Sequence, residues 1–363
     1  MPPTTDRLAR VREHLGGALR VEALLITAPS DVRWVSGFSG SVASLVITAQ
    51  RAVLIVDSRY GDQAGDQSPN CEVIVANASD TRDQEIARVV EDAPRVGFDD
   101  KRTSFADWRR LQSSLGRELV PLADPLAELR ARKDPFEIGR IESAARAADR
   151  SFAEVMPMVL VGGLTEREVR DELESRLRLH SADGPAYPTI VASGPNSALP
   201  HHQPTDRKIR EGDSVIIDVG ALVDGYRSDM TRTLFVGEVD PLLRAFHGLL
   251  SATQSEVVKA VCDGVAAARL DEMAREGLQE FAGDILHSTG HGVGLDIHES
   301  PWLRLSSAEV LSEGNVVTVE PGLYRVGVGG VRIEDLVLVE RSGSRTLTNS
   351  PKDPSCPQSA PTT

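Results

Sequence analysis

The chain has 363 residues, 40% of them hydrophobic, which is enough for two domains with sizeable cores. Acidic residues outnumber Lys and Arg by 54 to 40, and the net charge of −14 without a block of basic residues argues against binding to nucleic acid or acidic membranes. Scattered cysteines without Cys-x-x-Cys spacing, no secretory h-region and no long apolar run predict a cytoplasmic protein with reduced thiols at Cys71, Cys262 and Cys356.

Strands and helices alternate over the first third of the chain. A helical pattern covers residues 6–15, and further helical stretches lie at about 82–92 and 104–115. The apolar, β-branched segments between them predict strands at 23–27, 44–47, 52–56, 72–75 and 96–98. This alternation predicts a mixed α/β N-terminal domain of residues 1–130.

A charged stretch before Pro135 marks the start of a second domain, predicted to cover residues 131–348. Asp134 and Thr165 are placed as the N-caps of its first two helices. The predicted helices cover about 135–155, 166–180, 240–260 and 263–282. Short strands and turns dominate from 188 to 235. The residues from 349 to 363 are rich in Pro, Ser and Thr and are expected to form a disordered tail.

The second domain carries four carboxylates and one histidine between glycines, and its three acidic segments share one form, an apolar β-branched stretch that delivers a carboxylate into Gly-rich chain. The five candidates are Asp218, Asp229, His291, Glu320 and Glu334. Each alone has an ordinary explanation, since Asp often caps a turn and Gly-His-Gly suits a loop. A carboxylate at the edge of an apolar strand is costly unless it is paired or coordinated, so the shared form indicates a metal site.

Four carboxylates and one imidazole form an oxygen-rich donor set that can hold two divalent cations. Two such cations can clamp an attacking hydroxide and the oxygen of the scissile group, which favours hydrolysis. Between the two aspartates, Asp224-Gly225 suits a tight hairpin turn. We expect this hairpin to place Asp218 and Asp229 opposite each other on paired strands.

Three histidines flank these candidates in loops punctuated by Gly and Pro: His201, His287 and His298. A lone loop histidine is usually a surface residue, but active-site groups also concentrate in such loops.

The order of these residues and their surroundings resemble the metal-dependent Xaa-Pro peptidases, the prolidase and aminopeptidase P group of the pita-bread fold. The resemblance covers residues 31–348 approximately and includes Gly290-His291-Gly292, Glu320-Pro321-Gly322 and Gly329-Gly330-Val331-Arg332-Ile333-Glu334. In the N-terminal domain it includes residues 28–41 and 57–60. It implies an α+β fold, in which a creatinase-like α/β domain precedes a pita-bread metallopeptidase domain, with the five candidates as metal ligands.

The resemblance also implies roles for the neighbouring residues. Glu320 is expected to act as general base and proton shuttle as well as ligand. His201 and His298 are expected to hydrogen-bond the substrate and its developing oxyanion, an effect of about 3 kcal/mol for one good donor. The family pattern Pro-His favours His201 over His202. The remaining residues that match substrate-binding or carboxylate-orienting positions are His287, Tyr324 and Arg332.

Two divalent metal ions are therefore expected, and a donor set without thiolate favours Mn²⁺, with Co²⁺ or Zn²⁺ as alternatives. Proline-containing short peptides are the expected substrates, and the sequence leaves dipeptidase and aminopeptidase both open. The N-terminal domain is expected to form a homodimer and to cover the neighbouring active site, where Trp34 or Phe38 could limit substrate length. The alternatives are a hydrolase of a non-peptide C–N bond, of the creatinase or ectoine hydrolase type, and a non-catalytic peptide-binding module.

Overall fold

The computed structural model describes residues 4–355, apart from the side chain of Asp80. The chain divides into two compact units between Arg130 and Ala131. Within the described residues, no helix is long and apolar enough to span a membrane. Cys71 and Cys262 are free thiols, and Cys356 lies outside the described residues.

The first unit is built on one mixed six-stranded sheet in the order β4-β3-β2-β1-β5-β6. Its strands are β1 (Ala23–Ile26), β2 (Ala43–Thr48), β3 (Ala52–Val56), β4 (Glu72–Val75), β5 (Arg95–Asp99) and β6 (Glu118–Leu122). Its helices are α1 (Thr4–His14), α2 (Pro29–Ser36), α3 (Gly61–Gln67), α4 (Ser79–Val89), α5 (Phe105–Leu115) and α6 (Ala127–Ala131), and a π-helical turn, Leu15–Leu19, follows α1. The β1–β2 and β2–β3 pairs are antiparallel, and the others are parallel.

Two aromatic residues of this unit do not have the exposure that a substrate-limiting role needs. Trp34 is 1% exposed and Phe38 is fully buried. The Phe38 ring packs edge-on against Tyr60, and the Arg7 guanidinium lies over Trp34. The suggestion that one of them limits substrate length is therefore wrong for this structure, because both side chains fill the core.

The second unit contains four helices, two 3₁₀ turns and thirteen strands within the described residues. The helices are α7 (Pro135–Val161), α8 (Glu166–Leu179), α9 (Pro241–Ala260) and α10 (Ala267–Gly277), with 3₁₀ turns at Gly194–Ala198 and Gln279–Asp284. The strands are β7 (Gly184–Pro185), β8 (Ile190–Ser193), β9 (Ser214–Asp218), β10 (Ala221–Val223), β11 (Tyr226–Arg227), β12 (Thr231–Phe235), β13 (Gly290–Gly292), β14 (Glu299–Leu303), β15 (Val316–Val319), β16 (Gly322–Arg325), β17 (Gly329–Arg332), β18 (Asp335–Glu340) and β19 (Gly343–Thr346).

The helix N-termini follow the capping rules. Asp134 and Thr165 each form a capping box, with Glu137 and Glu168 respectively. The helix α7 continues six residues past the predicted end, although Pro157 lies inside it. The predicted helix over 263–282 is instead α10 followed by a separate 3₁₀ turn, because the chain leaves helical geometry at Leu278.

The second unit has two halves of the same construction. In the first half, α7 and α8 precede the antiparallel strands β8, β9 and β12, with β9 in the centre. In the second half, α9 and α10 precede β13, β15 and β18, with β15 in the centre. Each pair of helices buries apolar side chains against its own strands.

The segment predicted to be a disordered tail is ordered as far as residue 355. The buried Arg232 donates to Ser350 O at 2.7 Å, Phe235 N donates to Pro354 O at 2.9 Å, and Lys352 Nζ lies 2.6 Å from an oxygen of Asp335. A polar composition predicts disorder only when the polar groups lack buried partners, and here they have them. Residues 356–363 lie outside the described part.

Candidate active site

The hairpin between the two aspartates forms, but its register differs from the expected one. Val223 pairs with Tyr226 around a turn in which Asp224 and Gly225 both have positive φ. In the adjoining sheet, however, Asp218 pairs with Thr231 and not with Asp229. The prediction of directly opposed aspartates is wrong, because the hairpin strands β10 and β11 join β7 in a different sheet from β9 and β12.

The carboxylates nevertheless converge. Single oxygens of Asp218, Asp229 and Glu334 all lie within 4.8 Å of one another. Tyr187 donates its hydroxyl to Asp218 at 2.5 Å and also hydrogen-bonds Asp229. Thr231 Oγ1 donates to Glu334 at 2.7 Å. The three carboxylates therefore share one small volume and are oriented by hydroxyl donors.

The other two candidates complete the group. His291 Nε2 lies 3.3 Å from Glu320 Oε1 and 3.7 Å from Asp229 Oδ2. Its Nδ1 is 3.1 Å from the carbonyl oxygen of Gly292, which can only accept, so Nδ1 carries the hydrogen and Nε2 presents its lone pair to the carboxylates. All five candidates line the same pocket.

Glycines surround His291 for a steric reason. A Cβ at Gly290 would lie 2.1 Å from Thr318 O, and a Cβ at Gly292 would lie 2.2 Å from Ser300 O. No side chain fits at either position without moving the backbone of a neighbouring segment. The Gly-His-Gly sequence is thus the requirement of a close-packed strand, β13, and not of a solvated loop.

Burial and the closeness of the carboxylates to one another make their ionisation unfavourable. Burial raises the pKa of Asp229 well above its usual range, and Asp218 and Glu320 add to this rise. Burial and Asp229 act in the same way on the pKa of Glu334, and burial raises the pKa of Glu320 to about 7. Burial lowers the pKa of His291 to about 3, which keeps its imidazole neutral.

The flanking histidines also meet at this pocket. His201, His287 and His298 all line it, whereas His202 turns away to Glu166. The rings of His298 and His291 are 4.3 Å apart, in edge-to-face geometry. Burial lowers the pKa of His287 to about 4.

Arg332 and Tyr324 form a buried chain behind these groups. Arg332 Nη2 donates to Asp218 at 2.8 Å, and its Nη1 lies 2.9 Å from the Tyr324 hydroxyl, which is 2.8 Å from His287 Nε2. Arg332 lines the pocket, but Tyr324 lies behind it and is 3% exposed. Tyr324 is therefore placed to orient Arg332 and His287 and not to touch a ligand directly.

The pocket has a volume of about 430 Å³. The carboxylates and histidines form its polar side. Its apolar side is formed by six residues with apolar or aromatic surface: Tyr187, Pro188, Ile190, Pro200, Ile297 and Trp302. A larger cleft of about 1070 Å³ in the first unit contains none of the candidate residues.

Tyr187 is the functional residue that sequence reasoning missed. It lies 31 residues before Asp218, in a short irregular segment between β7 and β8. A tyrosine in such a segment carries no spacing or periodicity signal, and only the folded chain shows its hydroxyl between two aspartates.

Comparison with known proteins decides the family. The model of metallopeptidase family M24 matches residues 139–341, and the creatinase/prolidase N-terminal domain matches residues 7–132. The chain belongs to metallopeptidase family M24. It is accordingly a metallopeptidase with the pita-bread fold, which confirms the fold and the family that the sequence motifs predict.

Relatives of this M24 peptidase cover nearly the whole chain. It is 37% identical to the uncharacterized peptidase YqhT of Bacillus subtilis, over 96% of this chain and 99% of that protein. It is 34% identical to an Xaa-Pro dipeptidase of Pyrococcus furiosus, over 92% and 95%. The structure of an Xaa-Pro dipeptidase from Bacillus anthracis superposes with a TM-score of 0.92 at 33% identity, over 96% of this chain and 99% of that one.

Membership of M24 implies divalent metal ions, and the residues present fit them. Of the four carboxylates, Asp218 pairs with Arg332 at 2.8 Å, and the lone pair of His291 Nε2 faces Glu320 Oε1 at 3.3 Å. Such an arrangement is repulsive until cations enter, and oxygen and imidazole ligands suit first-row divalent metals.

Proposed function

We propose that this metallopeptidase hydrolyses the peptide bond that precedes proline, in Xaa-Pro dipeptides or at the N-terminus of Xaa-Pro peptides. The observation that carries the proposal is the meeting of all five metal-ligand candidates with His201 and His298 in one pocket. Relatives of both kinds, dipeptidase and aminopeptidase, support the proposal. The similar structures include an Xaa-Pro dipeptidase and an X-Pro aminopeptidase from Thermotoga maritima, the latter at a TM-score of 0.85 and 33% identity.

In this proposal the ligands of two divalent cations are Asp218, Asp229, His291, Glu320 and Glu334. When bound, the cations would polarise the scissile carbonyl and lower the pKa of a water molecule. Mn²⁺ is the proposed metal because the set contains one imidazole and no thiolate, with Co²⁺ or Zn²⁺ as alternatives.

Glu320 is the proposed general base and proton shuttle. Its carboxyl group lies within 3.3 Å of His291, at the edge of the group, and Thr318 Oγ1 is its hydrogen-bond donor at 3.4 Å. Because this weak donor is the one that the described residues 4–355 supply, lone pairs of the carboxylate are available for a proton. A carboxylate at the edge of the ligand group can accept a proton and pass it on to the leaving nitrogen.

His201 and His298 are proposed to bind the substrate and to stabilise negative charge that develops on its carbonyl oxygen. Burial lowers the pKa of His298, so its imidazole is neutral at pH 7 and can donate one hydrogen bond. The apolar side of the pocket, including Pro188, Ile190 and Trp302, suits a proline ring, which has no N–H to satisfy.

One assay panel tests the proposal: Xaa-Pro dipeptides, Xaa-Pro-Yaa tripeptides and matched peptides with alanine in place of proline. We expect hydrolysis of the proline substrates only, loss of activity after dialysis against chelator, and recovery on adding Mn²⁺. Including creatine and ectoine tests the C–N hydrolase alternative. Hydrolysis of those compounds alone would contradict the proposal, and metal-loaded protein that binds proline peptides without cleaving them would indicate a binding module.

We also propose that the protein is a homodimer in the cytoplasm, with the first unit contributing to the interface. Light scattering at micromolar concentration tests the assembly, and a monomer would contradict it.

A further inference from the structure

Outside the metal site, the buried carboxylate of Glu166 accepts hydrogen bonds from six donors. Glu166 is fully buried at the start of α8. Its Oε1 accepts from Ser193 N at 2.8 Å, Ser193 Oγ at 2.7 Å and Asn196 Nδ2 at 3.0 Å. Its Oε2 accepts from His202 Nε2 at 2.9 Å, Thr205 N at 2.9 Å and Thr205 Oγ1 at 2.7 Å.

These six donors belong to one continuous stretch of chain that ends in the loop of residues 199–205, here called the His201 loop. Ser193 ends β8, and Asn196 lies in the following 3₁₀ turn. His202 and Thr205 belong to the His201 loop itself. A hydrogen bond to a charged carboxylate is worth about 1.5–3 kcal/mol, so Glu166 holds this stretch at both ends.

His201 depends on its neighbours for its position. Within residues 4–355, its side chain has no hydrogen bond, although it lines the pocket. The residue before it is held by Arg332, whose Nη1 is 3.3 Å from Pro200 O, and the residue after it is held by Glu166. The imidazole of His201 is thus placed by two contacts of the adjacent residues.

We propose that Glu166 is a positioning residue for catalysis, which acts through His202 to hold His201 at the substrate. The inference rests on the proposed function, in which His201 contacts the substrate. It assigns a catalytic consequence to a carboxylate that lies on α8 and does not line the pocket. It also gives His202 a role different from that of the histidine beside it.

The charge state of Glu166 supports this assignment. Burial opposes ionisation, but the donors from Asn196, Thr205, His202 and Ser193 outweigh it and lower the pKa of Glu166 to about 2. The carboxylate is therefore charged throughout the working pH range and can accept all six hydrogen bonds.

The principal variant is Glu166→Gln, which keeps the shape but places an amide N–H₂ against donors. The matched control is Glu168→Gln in the same first turn of α8, where the exposed Glu168 accepts, among the described residues, from Thr165 alone. Both variants are measured for kcat and KM on an Xaa-Pro substrate, for bound metal and for thermal unfolding. We expect E166Q to lower kcat/KM about tenfold with unchanged metal content, and E168Q to leave kcat/KM unchanged.

A double-mutant cycle with His201→Ala separates positioning from general stability. If Glu166 acts through His201, E166Q has little further effect on kcat/KM in the H201A background. Equal effects in both backgrounds, or a lower melting temperature with unchanged kcat and KM, would overturn the proposal.

Two further measurements cover the remaining outcomes. Should E166Q fail to fold, the half-buried His202 supplies the same test: His202→Ala should lower kcat/KM, and His202→Gln, which restores a donor, should recover part of it. Hydrogen exchange of the His201 loop is independent of activity and should be faster in E166Q than in E168Q. If the wild-type protein cleaves no Xaa-Pro peptide, the proposed function fails, and unchanged exchange would then overturn the positioning role as well.

Discussion

The two halves of the catalytic unit use one construction for different electrostatic purposes. In each half, one carboxylate lies at the end of the central strand and a second lies just before the third strand: Asp218 and Asp229 in the first, Glu320 and Glu334 in the second. The surroundings differ. The first pair shares the Tyr187 hydroxyl, and its Asp218 contacts Arg332. His291 on β13, the first strand of the second half, lies closer to Glu320, at 3.3 Å, than to Asp229, at 3.7 Å.

This difference shows how a repeated scaffold becomes an asymmetric site. The first strand of the second half carries a ligand candidate, while the first strand of the first half, β8, ends at Ser193 and leads into the His201 loop. The scaffold fixes where carboxylates converge, and the residues around each pair decide which side holds the base and which side meets the substrate.

The largest expected effect comes from removing one carboxylate from either half. Asp229→Ala and Glu334→Ala should each reduce Xaa-Pro hydrolysis to background and reduce bound metal below two ions per chain, because both side chains lie in the three-carboxylate group. The measurements are peptide hydrolysis and metal analysis. Glu238→Gln, an exposed carboxylate away from the pocket, is the control. A fully active variant of either site residue would contradict the ligand assignment.

A smaller effect should follow from loss of the donor that only the first half has. Tyr187→Phe removes the hydroxyl shared by Asp218 and Asp229 and leaves the ring in place. We expect a loss of about 10–100-fold in metal affinity or activity, which is usual for groups that orient metal ligands. Thr318→Val removes the weak 3.4 Å donor to Glu320 in the second half, together with the acceptor of His291 N at 3.0 Å, and should cost less in metal affinity. Equal losses would show that the two halves orient their carboxylates alike.

The stability contributed by Glu166 should depend on acid pH. Its folded pKa, about 2, lies below the ordinary value of 4.5, so its contribution is complete above pH 4.5 and is lost as pH falls through 2. The shift corresponds to about 3 kcal/mol at neutral pH. The difference in free energy of unfolding between wild type and E166Q should therefore shrink as pH falls below 4.5. A difference that stays constant from pH 7 to pH 3 would contradict the assignment of this charge.

The sequence was sufficient for the residues whose role depends on local pattern. Apolar β-branched runs that end in carboxylates predict strands β9 and β15, and the capping boxes predict the starts of α7 and α8. Tyr187 and Glu166 were not predictable, because their partners lie 31 or more residues from the first and 27 or more from the second. The register of Asp229 was also missed, since a local hairpin rule does not show which sheet each strand joins.

The smallest expected effect concerns the ordered end of the chain, which contacts both halves: Ser350 and Pro354 accept from β12 of the first half, and Lys352 contacts the second half. Lys352 Nζ is 2.6 Å from Asp335 and 2.7 Å from Gln254 Oε1, and Asp335 directly follows Glu334. Burial opposes ionisation there, but Arg232 and Lys352 hold the pKa of Asp335 at about 2.

Lys352→Met leaves Asp335 with one cation instead of two and should lower the free energy of unfolding by about 1–3 kcal/mol in chemical denaturation. Lys259→Met is the matched control, since Lys259 pairs with Glu256 on the surface of α9 with both side chains about two-thirds exposed or more. That pair should contribute less than about 1 kcal/mol. An equal loss of unfolding free energy for the two lysine variants would mean that Lys352 stabilises the second half no more than an exposed surface ion pair does. A larger loss for Lys352 would extend the difference between the halves to their stability, because the described contacts of this lysine are with second-half residues.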